Sequence, residues 1–171
     1  MNNEQQEIVV TEKELVINML VSAWEAQNKR FAAFLDKVTD AELAGETSPG
    51  RNTGNYLLGH LTAVNDGMLP MLDLGSKLYP ELEEPFLTSP DKSGKAMPST
   101  AELREKWHNV TALLHEHFKK MSADEWFGRH TAVSAEDFAK EPHRNKLNIL
   151  ISRTTHQGYH FGQMAYLVKK S

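Results

Sequence analysis

Two histidines stand four residues apart near the C-terminal end of the chain, His156 and His160 in the stretch THQGYHFGQ. On a helix this spacing puts both imidazoles on one face, one turn apart. Two neutral imidazoles placed in this way can take adjacent positions on one metal ion. A third ligand is needed, and His60 is the best placed of the other histidines. It falls mid-segment among Leu57, Leu61 and Val64, and an ionisable group on an apolar stripe must find a partner or stay neutral. Gly59 beside it and Gly158 between the pair point to a close approach of two helices. Residue 157 is Gln, so the His-Glu-x-x-His arrangement of zinc proteases, with its general base, is absent.

The other histidines carry weaker signals. His108 and His115 are seven apart and share a helical face with Glu105, Glu116 and Lys119 nearby, which reads as a solvated surface. His117 points elsewhere, and His130 and His143 fall in expected loops without a partner. Around the trio, Gln163 shares the face of His156 and His160 and is placed to bond an imidazole or a bound water. Arg153, one turn before His156, is placed to receive an anionic group. Tyr56 and Tyr159 are candidates for the pocket wall.

The elements that must position these residues are helical. TEKE is a capping box, Thr11 as N-cap and Glu14 at N3, and opens a helix to about Val38. Leu15, Met19, Ala23, Ala26, Phe34 and Leu35 keep roughly helical spacing there. A second helix runs from Asn52 or Thr53 to about Leu74, with Tyr56, Leu57, His60, Leu61, Val64 and Met68 on one face and a bend or break at Pro70. A connection rich in Pro, Gly and Ser follows over residues 75–98. It is much longer than an ordinary turn, so the helices on either side need not be neighbours, and it is a candidate cover for the pocket mouth. STAE, another capping box, opens the third helix, with Leu103, Trp107, Val110, Leu114 and Phe118 on one face. TDAEL, SADEW and SAEDF read as short helical turns. The fourth helix begins near Asn145 and runs to Lys169, with Leu147, Leu150, Ile151, Thr154, Gly158, Phe161, Ala165 and Val168 as its apolar face. Lys169 and Lys170 suit the negative end of its dipole. The expected fold is all-α, a four-helix bundle with one long crossover between helices 2 and 3. Residues 1–10 read as a flexible tail and residues 11–171 as one domain.

Composition narrows the function classes. The chain has 171 residues, 40% of them hydrophobic, and a net charge of −4 with mixed signs. That balance offers no basic stripe for nucleic acid and no polybasic run for a membrane surface. No apolar run approaches a membrane span, and MNNEQQEIVV has neither the basic nor the apolar region of a signal peptide. The chain contains no cysteine, which excludes disulfides, thiolate metal ligands and a protein thiol nucleophile. A soluble, cytoplasmic protein is expected.

With these residues in view, NTGNYLLGHLTAVNDGML followed by LISRTTHQGYHFGQMAYL resembles the DinB-like superfamily, which includes the YfiT-like proteins and the bacillithiol and mycothiol transferases. His60 matches the His of the family's second helix, in a Gly-His-Leu context. His156 and His160, followed by Gln163, match the His-x-x-x-His-x-x-Gln segment of its last helix. The resemblance implies a four-helix bundle, a three-His metal site and a homodimer. It also implies a metal-dependent reaction on a small molecule, namely thiol S-transfer or conjugation in detoxification or stress response.

Three His ligands leave a divalent ion with open positions, the arrangement of a catalytic site. Zinc, nickel, iron and manganese all suit imidazole. An open position can lower the pKa of water or stabilise the thiolate of a low-molecular-weight thiol. The second route fits a chain without its own cysteine. Two other classes remain open: a metal-dependent hydrolase, told by ester or amide cleavage without thiol, and a non-catalytic dimeric metal-binding stress protein, told by tight metal binding in a closed site.

Overall fold

Each long helix begins at the polar residue its sequence offers. In the computed structural model, which describes residues 10–168, Thr11 caps α1 (Glu12–Leu35) by accepting from the Glu14 amide while the Glu14 carboxylate takes the Thr11 N–H. The same reciprocal box, built from Ser99 and Glu102, starts α5 (Thr100–Phe118). Between them lie α2 (Asp40–Leu43), α3 (Gly54–Asp66) and α4 (Met68–Met71). After α5 come α6 (Ala123–Phe127), α7 (Ala135–Lys140) and α8 (Lys146–Met164), the last capped by the Asn145 side chain. The four long helices α1, α3, α5 and α8 form the bundle. Among the described residues there is no β-strand, only two isolated bridges. The tail over residues 1–9 and the lysines expected to close the last helix, Lys169 and Lys170, lie outside the described residues.

Helix α3 packs mainly on α5, and α1 on α8. The second and third long helices are therefore neighbours despite the length of chain between them. That chain is ordered as a wrap over α3, with a 3-10 turn at Pro80–Leu82 and a wide turn at Glu84–Thr88. Leu82 and Phe86 are wholly buried. The wrap covers one further side of α3, where Gly59 meets the Phe86 ring and Asp66 accepts the Leu78 and Tyr79 amides, while Asn65 is buried on the inner side, toward Gln157 of α8.

The second helix breaks at Gly67 rather than at Pro70. Pro70 has no N–H to offer the Asp66 carbonyl, so the ladder lapses three residues before the ring. The buried stripe of α1 also differs from expectation. Ile17, Trp24, Asn28, Phe31 and Leu35 face inward, while Leu15 and Met19 are exposed. Two large aromatics seven residues apart set the rotation of the helix, since together they remove more apolar surface from water than Leu15 and Met19 would. Ile151 of α8 is likewise exposed, as is Val168, which lies past the end of α8 at Met164 and the 3-10 turn Ala165–Leu167 that follows it. On α5 the expected face, from Leu103 to Phe118, is the buried one.

Candidate metal centre

His60 projects from α3 and His156 and His160 from α8, into the groove where the two helices meet. The His160 and His156 Nε2 atoms are 3.0 Å apart, and His60 Nε2 is 3.2 Å from His156 Nε2. The ligand atoms of all three lie within 4.8 Å of one another. Metal–imidazole bonds of about 2.0–2.1 Å hold adjacent ligand nitrogens roughly 3.0–3.4 Å apart. Three imidazole nitrogens from two helices brought to this spacing fit the donor set of a divalent ion. No other His, Cys, Asp or Glu joins the group among the described residues.

The rings are held from behind. His60 Nδ1 donates to the Phe86 carbonyl at 2.8 Å, and His160 Nδ1 donates to Gln163 Oε1 at 2.8 Å. Each bond puts the proton on Nδ1 and leaves Nε2 bare, the tautomer a metal ligand needs. His156 Nδ1 is buried without a hydrogen-bond partner. Burial pushes His60 below the ordinary imidazole range, opposed by its bond to Phe86 and reinforced by His160 and Arg153. His156 is pushed down to about 4, first by burial and then by His160, His60 and Arg153. Both rings therefore stay neutral at pH 7 and free to ligate.

Phe86 is the site residue that the sequence conceals. A backbone carbonyl carries no side-chain signature, and the wide turn that aims it is not a periodic pattern. The one trace is Gly59. A Cβ there would sit 2.3 Å from Phe86 ring carbons, so glycine is what admits the ring and, with it, the carbonyl. Gly59 thus serves the crossover rather than an approach of α3 to α8. Gly158 does not serve that approach either, since a Cβ on it would meet only Gln27 of α1, at 3.5 Å.

The remaining candidates fall on either side of the trio. Tyr159 is exposed, its ring 5.0 Å from that of His160. With His160, Gln163, Arg51 and Asn52 it lines a shallow cavity of about 260 Å³. Tyr56 is buried, lies parallel to the His60 ring and donates to the Ser89 carbonyl at 2.8 Å. It supports the site from beneath, and burial followed by Asp91 raises its pKa. Arg153 lines a second cavity, of about 420 Å³, with Ala63, Val64 and Leu87. Of the other histidines, His115 pairs with Glu25 at 2.9 Å. His130 is buried, and its Nδ1 accepts the Ala132 N–H at 3.2 Å.

A helical bundle with three imidazoles from two neighbouring helices has the arrangement from which bundle proteins build metal sites between helices, and it is compatible with a divalent ion. Among such bundle proteins the family is definite. The chain belongs to the DinB superfamily, whose family model matches residues 23–164. Among solved structures it is similar in fold to a conserved protein from Enterococcus faecalis. The two share 18% identity over 89% of this chain and 94% of that one, with a TM-score of 0.62. No curated protein matches the chain.

Proposed function

We propose that this protein is a metal-dependent enzyme that joins a low-molecular-weight thiol to a small electrophile, with His60, His156 and His160 holding the metal. The observation that carries the reading is the convergence of three imidazole Nε2 atoms at half-buried positions, with His160 on the wall of an open cavity. A closed structural site would bury its ion behind a fourth protein ligand.

When bound, a divalent ion supplies Lewis acidity that favours the thiolate form of a substrate thiol. The chain's own residues do the rest. The Phe86 carbonyl and Gln163 hold two imidazoles in register and keep their Nε2 atoms unprotonated. Tyr159 and the loop around Arg51 shape one side of the mouth, and Arg153 the other. The substrate sulfur forms its bond to the electrophilic carbon as the leaving group departs with its electron pair, and the thiol proton passes to solvent. The sulfur must come from outside, because the chain has no cysteine. Membership of the DinB superfamily, with its resemblance to thiol transferases, supports this assignment over hydrolysis.

A reducing cytoplasm suits a thiol-using reaction, and no helix of the described residues is long and apolar enough to cross a membrane. A homodimer is part of the proposal, supported by the exposed Leu15, Val16 and Met19 on α1. No nucleic-acid or membrane partner is proposed.

The test pairs metal content with turnover. Untagged wild type loaded with zinc, nickel, iron or manganese is assayed with chlorodinitrobenzene and a panel of small thiols, beside His60→Ala, His156→Ala and His160→Ala. Thiol-dependent conjugation by wild type, lost together with the metal in each variant, is the expected result. Cleavage of nitrophenyl acetate without thiol would assign a hydrolase instead. Tight metal binding with neither activity would assign a non-catalytic metal-binding protein.

A further inference from the structure

Among the described residues, Arg153 is a cation without an answering charge. It stands one turn before His156 on α8 and lines the cavity of about 420 Å³ between α3, the crossover and the loop before α7. Its Nε is buried without a hydrogen-bond partner, and Arg153 makes no hydrogen bond or ion pair among the described residues. The other cation on this wall, Lys77, is paired with Glu83 at 2.5 Å. Among the described residues no carboxylate lines the cavity; Ala63, Val64, Met71 and Leu87 make much of its surface.

An arginine used only for solubility extends into water, and one used for stability meets an acid. A partly buried guanidinium that does neither loses solvation without compensation. Burial accordingly pushes the Arg153 pKa down. The surroundings add no negative charge. The three histidines carry no negative charge, and the charged groups that act on His60 and His156 are other histidines and Arg153 itself. A divalent ion would thus share the groove with a second, unneutralised cation.

We infer that Arg153 anchors an oxyanion of the substrate, so that the preferred thiol is an anionic one with its sulfur toward the three histidines and its carboxylate on the guanidinium. The planar fork of arginine suits bidentate carboxylate binding. Arg153 stands three residues before His156, about 4.5 Å of helical rise between their backbones, and Val64 and Leu87 offer a short connecting chain an apolar wall. The inference rests on the thiol reading of the site, and its test separates the two.

Calorimetry on untagged, zinc-loaded protein compares mercaptopropionate with mercaptopropanol, which differ in the charged group. Wild type is expected to bind the acid about 10- to 100-fold more tightly, the range for a charge-assisted hydrogen bond. Arg153→Gln should abolish that preference while keeping zinc stoichiometry and mercaptopropanol affinity, and Arg153→Lys should keep part of it. Equal binding of the two thiols by wild type, or loss of both in Arg153→Gln, would overturn the inference. So would loss of zinc in Arg153→Gln and Arg153→Lys together, since Arg153 would then support His156.

Succinate and inorganic phosphate are titrated into the metal-free protein, with binding read by amide chemical shifts around residue 153. Shifts with succinate alone assign a carboxylate anchor, and shifts with both assign a general oxyanion anchor. If neither thiol binds zinc-loaded wild type, yet succinate still binds and Arg153→Gln removes it, the anchor stands and the thiol reading falls.

Discussion

His156 and Gln157 are adjacent on α8, yet their side chains reach opposite kinds of environment. Gln157 turns inward and is 1% exposed. Its Nε2 donates to Asn28 Oδ1 at 3.0 Å, its Oε1 receives a long bond from Asn65 at 3.5 Å, and Asn28 donates onward to the Trp24 carbonyl at 2.9 Å. This amide chain ties α1, α3 and α8 together and ends on the Trp24 carbonyl. His156 turns toward the α3–α8 groove, where its Nε2 faces two other nitrogens and its Nδ1 has no partner. Both are polar groups carried into a bundle. The amides satisfy one another and therefore hold structure. The imidazoles bring three ring nitrogens to a common point and leave one buried nitrogen without a partner among the described residues, the pattern of a ligand site.

Substitutions at the two places should separate these roles. The largest effect is expected of His156→Ala, with bound zinc falling from about one equivalent to none detectable by mass spectrometry, while urea unfolding of the metal-free protein changes little. A variant that keeps its zinc would break the comparison. Gln157→Leu should do the reverse. Leaving Asn28 and Asn65 without their partner should cost about 2–4 kcal/mol in urea unfolding, with zinc stoichiometry kept. If Gln157→Leu instead loses zinc and keeps its stability, the amide chain belongs to the site.

Two finer substitutions sharpen the contrast at the edge of the site. Gly59→Ala pushes a methyl into Phe86 and should cost about 1–3 kcal/mol by overpacking, with a weaker zinc affinity because the carbonyl behind His60 is displaced. Zinc affinity equal to wild type would show that Phe86 holds the fold and not the ligand. Gln163→Leu leaves packing intact and removes the acceptor behind His160, so zinc should bind about 10- to 100-fold more weakly without a change in unfolding.

The smallest effect is on pH. His156 has its folded pKa lowered to about 4 from the usual 6.5, so below 6.5 the unfolded chain binds more protons than the folded one. Stability of the metal-free protein is therefore complete above pH 6.5 and declines as pH falls toward 4. His156→Ala should flatten that decline in urea titrations across the window. An unchanged decline would place the titration elsewhere, with His130 the next group to examine, since burial lowers it too.

Much of the architecture was legible before any coordinates. Thr11 with Glu14 and Ser99 with Glu102 mark helix starts because a capping box is a local bond pattern, complete within four residues. The face from Leu103 to Phe118 was legible because one side of α5 is buried and one is wet. On α1 the same reasoning chose Leu15 and Met19, since spacing alone does not say which of two apolar stripes meets the larger partners. On α3 the periodic signal was incomplete, because the crossover buries a second side.

Within the site, the four-residue spacing of His156 and His160 determined that they share a face, and the apolar setting of His60 marked it as a group in need of a partner. Local helical geometry suffices for both. That His60 Nε2 lies 3.2 Å from His156 Nε2, 96 positions away in sequence, was decided by how α3 packs on α8. So were the Phe86 carbonyl behind His60, the glycine that admits its ring, and the absence of an acid beside Arg153. These are contacts between segments distant in the chain, and only the packing of the whole bundle, which trades them against one another for buried surface, determines them.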